Sequence, residues 1–381
     1  MIPDTLPRAA IERGAILPAA SADLVVTVDE SAVDLEWDAF VESTPGGHHA
    51  QTSVWARVKA SLGWDAVRVI VREGDRIAGG VQLLTRRVGR LGSVAYGPRG
   101  PLLASNHPEV FGSALRTAMD VARARRIRYV KLQPPVDRPD LVLALEARGW
   151  ATSAIEAAPT ATVRVRLDRP EEDILAGMRR STRRGTRRSV DCGLRIRVGG
   201  AKDVAGLHRV IEAAARRQGF EHYPRRYYET MWSAFAERDQ ALLLVGELDG
   251  QLLAAHLYLA FNDCITAKAG GWSGQRTTAV RPNAALDWAA MRWARERGLT
   301  SFDFDGISLP VARAIARGEE IAPAERGGVT DYKLGFGGAV MIFPPAFDSS
   351  PSRTLRPLVH AAAPRSKGLR SAAHHMLGRC H

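Results

Sequence analysis

The sequence is poor in several features that would each have pointed to a class of protein. Nowhere in its 381 residues is there an apolar run of the roughly 18 to 20 residues that a membrane-spanning helix needs. Residues 1–20 carry Asp4, Glu12 and two arginines, which reads as neither an anchor nor an export signal. Cysteine is scarce: Cys192, Cys264 and Cys380 are odd in number and far apart, so they frame neither a disulfide scaffold nor a zinc knuckle, and a reducing compartment fits. Metal-ligand spacing, a phosphate-binding Gly-Lys loop and a nucleophile elbow are missing too, so no metal and no bound cofactor is expected. Lysine is rare, with six in the chain, yet Lys and Arg together number 53 against 41 Asp and Glu. The excess is therefore arginine, and a net charge of +12 raises the local concentration of anionic partners such as nucleic acid, nucleotide sugars or anionic lipid.

What is present is enough apolar content, 45%, for two cores. Strand patterns at 24–28, 66–71 and 77–85 surround a helix at 53–61, and Glu73-Gly74-Asp75-Arg76 forms the turn of a hairpin. A helix over 108–124 with Pro near its first position, a buried strand at 129–132 and a helix at 140–148 closed by Gly149 complete a first α/β unit. The second half repeats the order. A strand at 161–167 precedes helical patterns over 171–190 and 204–217, a hairpin over 241–260 turning at Leu248-Asp249-Gly250-Gln251, a helix at 283–297 and a strand at 301–305. The expected architecture is α/β (α+β), with tandem units over 23–160 and 161–337. Within the second, residues 309–328 read as an ordered excursion or a mobile lid. Residues 349–381 hold six Arg or Lys, no acid and several prolines, and read as a flexible basic tail.

Seven phrases occur in order between about residues 48 and 340: Gln51-Thr52-Ser53-Val54-Trp55 with Lys59 and Gly63-Trp64; Tyr96-Gly97-Pro98-Arg99-Gly100-Pro101; Thr182-Arg183 with Arg187 and Gly193; Gly219-Phe220 with Tyr227-Tyr228; Asp287-Trp288 running to Trp293-Ala294 and Gly298; Asp303 to Gly306; and Tyr332-Lys333-Leu334-Gly335-Phe336-Gly337-Gly338. Together they make the chain resemble the Fem-type aminoacyltransferases, the FemABX family of peptidoglycan interpeptide-bridge enzymes. The resemblance implies two GNAT-like domains facing a cleft, the first completed by a returning segment near 338–348. It also implies a cytoplasmic enzyme that moves an amino acid from aminoacyl-tRNA, its co-substrate, to an amine of a UDP-linked or lipid-linked muropeptide. Three departures stand out. Tyr223 occupies a position where the family often has Arg, no heptad pattern marks a long helical-hairpin insertion, and Thr266-Ala267-Lys268 replaces a frequent aromatic. Transfer from tRNA to a specialised metabolite or peptide antibiotic, or from acyl-CoA to an amine, are the alternatives.

Read for chemistry, the densest cluster is Arg179, Arg180, Arg183, Arg184, Arg187 and Arg188, which covers about half of a helix circumference while small residues fill the rest. Guanidinium forks on one face suit phosphate oxygens, and the expected partner is tRNA. Substrate contacts are expected at Lys59, which matches a family lysine on the precursor's diphosphate, and at Trp55, Arg99, Tyr227, Tyr228 and Asp303. Lys333 is the sharpest catalytic candidate, because attack on an aminoacyl ester produces an oxyanion that an ammonium can stabilise. Tyr332 is expected to brace it by a cation–π contact, the glycines that follow to allow close backbone approach, and Asp305 to accept a proton from the attacking amine. The basic tail suggests peripheral contact with the anionic inner membrane face.

Overall fold

The computed structural model describes residues 24–88, 92–136, 138–154, 156–274 and 280–352. The leader, Cys380 and all of the basic tail beyond residue 352 lie outside the described residues. In chain order the first unit runs β1 (Leu24–Asp29), α1 (Leu35–Ser43), α2 (Ser53–Ala60), β2 (Asp65–Glu73), β3 (Arg76–Arg87), β4 (Ser93–Gly97), β5 (Leu102–Leu103), α3 (Pro108–Ala124), β6 (Ile127–Leu132), α4 (Pro139–Glu146) and β7 (Ala151–Thr152). The second runs β8 (Ala161–Arg166), α5 (Glu171–Gly177), α6 (Arg180–Asp191), β9 (Arg195–Val198), α7 (Val204–Gln218), α8 (Arg225–Ala236), β10 (Ala241–Leu248), β11 (Gln251–Phe261), β12 (Cys264–Trp272), α9 (Pro282–Glu296), β13 (Ser301–Asp303), α10 (Leu309–Ala316), α11 (Gly328–Leu334) and β14 (Ala339–Ile342). A last strand, β15 (Phe347–Ser349), follows.

The two sheets share a spatial order of seven strands, with β5 added on β3 in the first; the sixth place is filled by β15 in the first sheet and by β8, which opens the second unit, in the second. In the first the order is β1-β2-β3-β4-β6-β15-β7; in the second it is β9-β10-β11-β12-β13-β8-β14. Each begins as an antiparallel meander and then places one parallel pair, β4 with β6 and β12 with β13, across a helix, α3 or α9. Both hairpins close through two residues, with Glu73 opposite Arg76 and Leu248 opposite Gln251. Asp249 and Gly250 both have positive φ, the conformation such a two-residue turn demands. The chain's end crosses over. β14 pairs with β8 in the second sheet, whereas β15 inserts between β6 and β7 in the first.

Helix α3 buries Val110, Phe111, Ala114, Leu115, Ala118, Met119 and Ala122, a stripe at helical spacing that covers β2, β3 and β6. A separate core joins the units: Trp55, Trp64, Leu84 and Tyr96 pack with Leu207, Tyr227, Phe235 and Leu257, and α2 lies on α8. The helical pattern over 171–190 is broken. Met178 is extended, and Arg179 N–H donates to Gly335 O at 2.8 Å. A Cβ at Gly337 would lie 2.0 Å from Gly177 O, so the glycine-rich run after Lys333 is needed for contact with the protein's own backbone. The 309–328 excursion is ordered: α10 packs Val311, Ala312 and Ala314 inward against β14 and β8. Among the described residues no helix is long and apolar enough to cross a membrane.

Candidate active site between the two sheets

Lys333 and Tyr332 are adjacent on α11 and point different ways, as successive helical residues about 100° apart must. Tyr332 points inward. Its hydroxyl donates to Asp287 Oδ2 at 2.5 Å, and the buried Asp287 on α9 also accepts from Tyr258 at 2.8 Å and meets His256 Nδ1 at 3.0 Å. The expected cation–π brace between Tyr332 and Lys333 does not form, because that ring packs edge-on against Phe336 and its hydroxyl is committed to Asp287. What holds the Lys333 ammonium is backbone. It donates to Gly306 O at 2.6 Å and to Asp305 O at 3.4 Å. Burial pushes its pKa down from the ordinary lysine value, while Asp305, Asp303 and Asp287 oppose the shift.

The turn that offers those carbonyls follows β13. Asp305 adopts φ +51, a left-handed conformation that Asp tolerates better than most residues, and its N–H is held by Asp303 Oδ1 at 2.8 Å. Asp303 is buried and accepts also from Thr162 at 2.6 Å and from Arg164 at 3.0 Å. The Asp305 carboxylate pairs with Lys268 on β12 at 2.6 Å. Lys268, Arg164 and Asp287 were not among the expected site residues; each reaches the site through a contact across 29 to 139 positions that no local pattern displays.

The expected substrate contacts of the first unit behave differently. Lys59 on α2 is 1% exposed, with its ammonium 5.1 Å from the Trp55 ring and 5.6 and 5.5 Å from those of Tyr223 and Tyr227. Trp55, Tyr227 and Tyr228 are buried as well, so these rings form a cage around a cation here, not an open stacking platform. Trp55 also lies 5.3 Å from the Lys268 ammonium and so bridges the units. Arg99 has φ +52, stacks its guanidinium 3.9 Å from the Phe343 ring centroid, and borders a cavity shared with Asp303, Asp305 and Arg164. In that cavity burial pushes the Cys264 thiol up to about 11, which argues against a nucleophilic role.

The basic helix is apart from this cluster. On α6, Arg180, Arg184, Arg187 and Arg188 are exposed and Arg183 half-buried, while Gly185, Thr186 and Ser189 are buried, packing against α9 and the segment preceding it. Arg179, just before α6, pairs with Asp331 of α11 at 2.6 Å, which links the cationic face to the helix carrying Lys333.

Residues 32–141 match the FemAB family and residues 176–333 the acetyltransferase (GNAT) domain. The lipid II:glycine glycyltransferase of Staphylococcus aureus (strain MRSA252) is 25% identical over 257 residues, covering 65% of this chain and 61% of that protein. This chain thus spans about three fifths of the length of the curated relatives it matches. The crystal structure of FemX superposes with a TM-score of 0.75 at 20% identity, covering 85% of this chain and 98% of that one. A tandem GNAT protein from the clavulanic acid biosynthesis pathway gives 0.52 at 13% identity, covering 87% and 99%. Fold and site thus define a double GNAT-like architecture with its candidate site where the two sheets meet. Its first unit carries the match to the FemAB family, and its fold as a whole is that of FemX.

Proposed function

We propose that this protein is an aminoacyltransferase that carries an amino acid from aminoacyl-tRNA to an amine of a lipid-linked peptidoglycan precursor, forming an interpeptide-bridge amide. The observation that carries the reading is the Lys333 ammonium, held by the Asp305 and Gly306 carbonyls beside the cavity between the sheets. The likeness to lipid II:glycine glycyltransferases supports the acceptor, and the exposed arginines of α6 support tRNA as the donor.

The neutral acceptor amine attacks the ester carbonyl, the C–N bond forms, and the C–O bond to the ribose breaks. The proton lost by nitrogen leaves with the ribose oxygen. Lys333 stabilises the intermediate oxyanion or that departing oxygen, and no bound cofactor or covalent enzyme intermediate is required. Asp305, its carboxylate paired with Lys268, has the part of holding the turn that positions Lys333. Arg179, Arg180, Arg183, Arg184, Arg187 and Arg188 receive the tRNA backbone, and the protein works at the inner membrane face where a lipid-linked acceptor resides. The aromatic cage over Lys59, closed by Tyr223, favours a second reading of the acceptor as a specialised peptide without a diphosphate at that position.

The test supplies purified protein with radiolabelled aminoacyl-tRNA or acetyl-CoA as donor, and lipid-linked or UDP-linked muropeptide as acceptor. Label is expected on the muropeptide from aminoacyl-tRNA alone. Transfer from acetyl-CoA alone would replace the reading with acyl-CoA chemistry.

A further inference from the structure

The cavity between the sheets has a volume of ≈ 180 Å³, room for a small functional group with a few atoms behind it. Its charges nearly cancel within the protein. Arg164 is matched by Asp303 at 3.0 Å, and Asp305 by Lys268 at 2.6 Å. Asp263, also in the lining, accepts from the Thr300 hydroxyl at 2.6 Å. Of the two arginines in the lining, Arg99 is the one outside any ion pair. It is 6% exposed, and among the described residues no carboxylate lies within ion-pair distance of its guanidinium. One nitrogen donates to Pro159 O at 3.2 Å, the ring of Phe343 covers one face, and Nη1 is buried without a hydrogen-bond partner. A second buried and unpartnered nitrogen, His49 Nε2, belongs to the same lining. Burying a guanidinium with an empty donor is costly unless an anion completes it, and a left-handed backbone at Arg99 adds to the expense of placing it there.

We propose that this cavity is a carboxylate-binding site, in which a ligand carboxylate accepts from Arg99 and its apolar neighbouring atoms lie against Phe343 and Phe261. The empty donor of a buried guanidinium calls for one anionic acceptor; a phosphate dianion would face Asp263, Asp303 and Asp305 across the same small volume. Resting on the aminoacyl-transfer reading, the assignment extends to which substrate brings the carboxylate. The donor's carboxyl group is consumed in its ester, so the carboxylate belongs to the acceptor: an amine-bearing peptide that also carries a free acid. Asp305 lines the cavity and its carbonyl, with that of Gly306, holds Lys333, so acid recognition sits one residue from the ammonium.

The probe pair is N-acetyl-Lys-Ala-Ala and its C-terminal amide, titrated calorimetrically into the full chain without tRNA. The free acid should bind about tenfold or more tighter than the amide. Arg99→Gln should bind both peptides equally, at the wild-type amide's affinity, and Arg99→Lys should keep part of the preference. Equal affinities on the unsubstituted protein, a preference that survives Arg99→Gln, or no binding of either peptide at millimolar concentration would overturn the proposal. The comparison on the unsubstituted protein stands even if a variant fails to fold. Because no donor enters the titration, failure of aminoacyl transfer shows only in the transfer assay and failure of the acid site only in the acid-to-amide ratio.

Discussion

The two sheets share a spatial strand order and each buries a lysine against a carboxylate, Lys131 with Asp348 and Lys268 with Asp305, yet the second unit also holds a lysine on backbone carbonyls. In the first, Lys131 on β6 pairs with Asp348 of β15 at 2.7 Å with both side chains buried, and Lys59 is enclosed by aromatic rings. These charges are sealed into packing. At the equivalent strand of the second sheet, β13 ends in a left-handed turn whose carbonyls hold a half-buried lysine beside a cavity. One strand order thus places a lysine under a closed sheet, where it fastens β15, and another beyond a short strand, at the turn where the proposed chemistry would sit.

The sharpest way to break that comparison is to remove Asp348. Asp348→Ala leaves the Lys131 ammonium buried without its carboxylate and should cost about 3–5 kcal/mol of stability by denaturant unfolding, with turnover per folded molecule retained. A large loss of turnover in the folded fraction would mean the first unit's cation is not merely structural. Asp287→Asn acts on the other side. It disturbs the acceptor of Tyr258 and Tyr332 and should cost about 1–3 kcal/mol, but here turnover should fall as well because Tyr332 precedes Lys333 on α11. Changing Arg180, Arg184 and Arg188 together to Ala should leave stability nearly unchanged. It should flatten the salt dependence of tRNA binding by roughly two to three counterions, measured by filter binding across a salt series. The smallest effect is on pH. Since burial lowers the Lys333 pKa, raising pH removes its ammonium earlier than in a free lysine, so the alkaline fall in turnover should begin below the ordinary value of about 10.4. Lys333→Arg should move that fall to higher pH in any activity it retains.

Much of the fold was legible because its signals are local. The Asp249-Gly250 turn, the Pro108 start of α3 and its helical stripe of apolar residues each state their structure within a few positions. The strands β4 and β12 were not read, although each pairs with the strand before it; β15, which lies between β6 and β7 some two hundred residues earlier in the chain, was expected from the resemblance alone, as a returning segment near 338–348. The site divides in the same way. Lys333, Asp303, Asp305 and Arg99 stood out as residues at strand ends, in turns or beside glycines; the last three line one cavity, and Lys333 donates to the Asp305 carbonyl. Lys268, Arg164 and Asp287 carry no such mark; contacts between neighbouring elements of the second unit are what place them. The cage over Lys59 is a further lesson. Trp55, Tyr223 and Tyr227 come from two helices and the loop before the second, so aromatic residues that suggest an open stacking surface in sequence close over a cation once α2 packs on α8.

The most direct test of the account is a single-turnover measurement with preloaded aminoacyl-tRNA and saturating lipid-linked acceptor, comparing the protein with Lys333→Ala. Loss of an oxyanion-stabilising group should slow amide formation by about 10²–10³ while tRNA affinity and stability stay within a few-fold and about 1 kcal/mol of the original. Equal single-turnover rates, or a loss confined to tRNA affinity, would contradict the assignment of Lys333 to the chemical step.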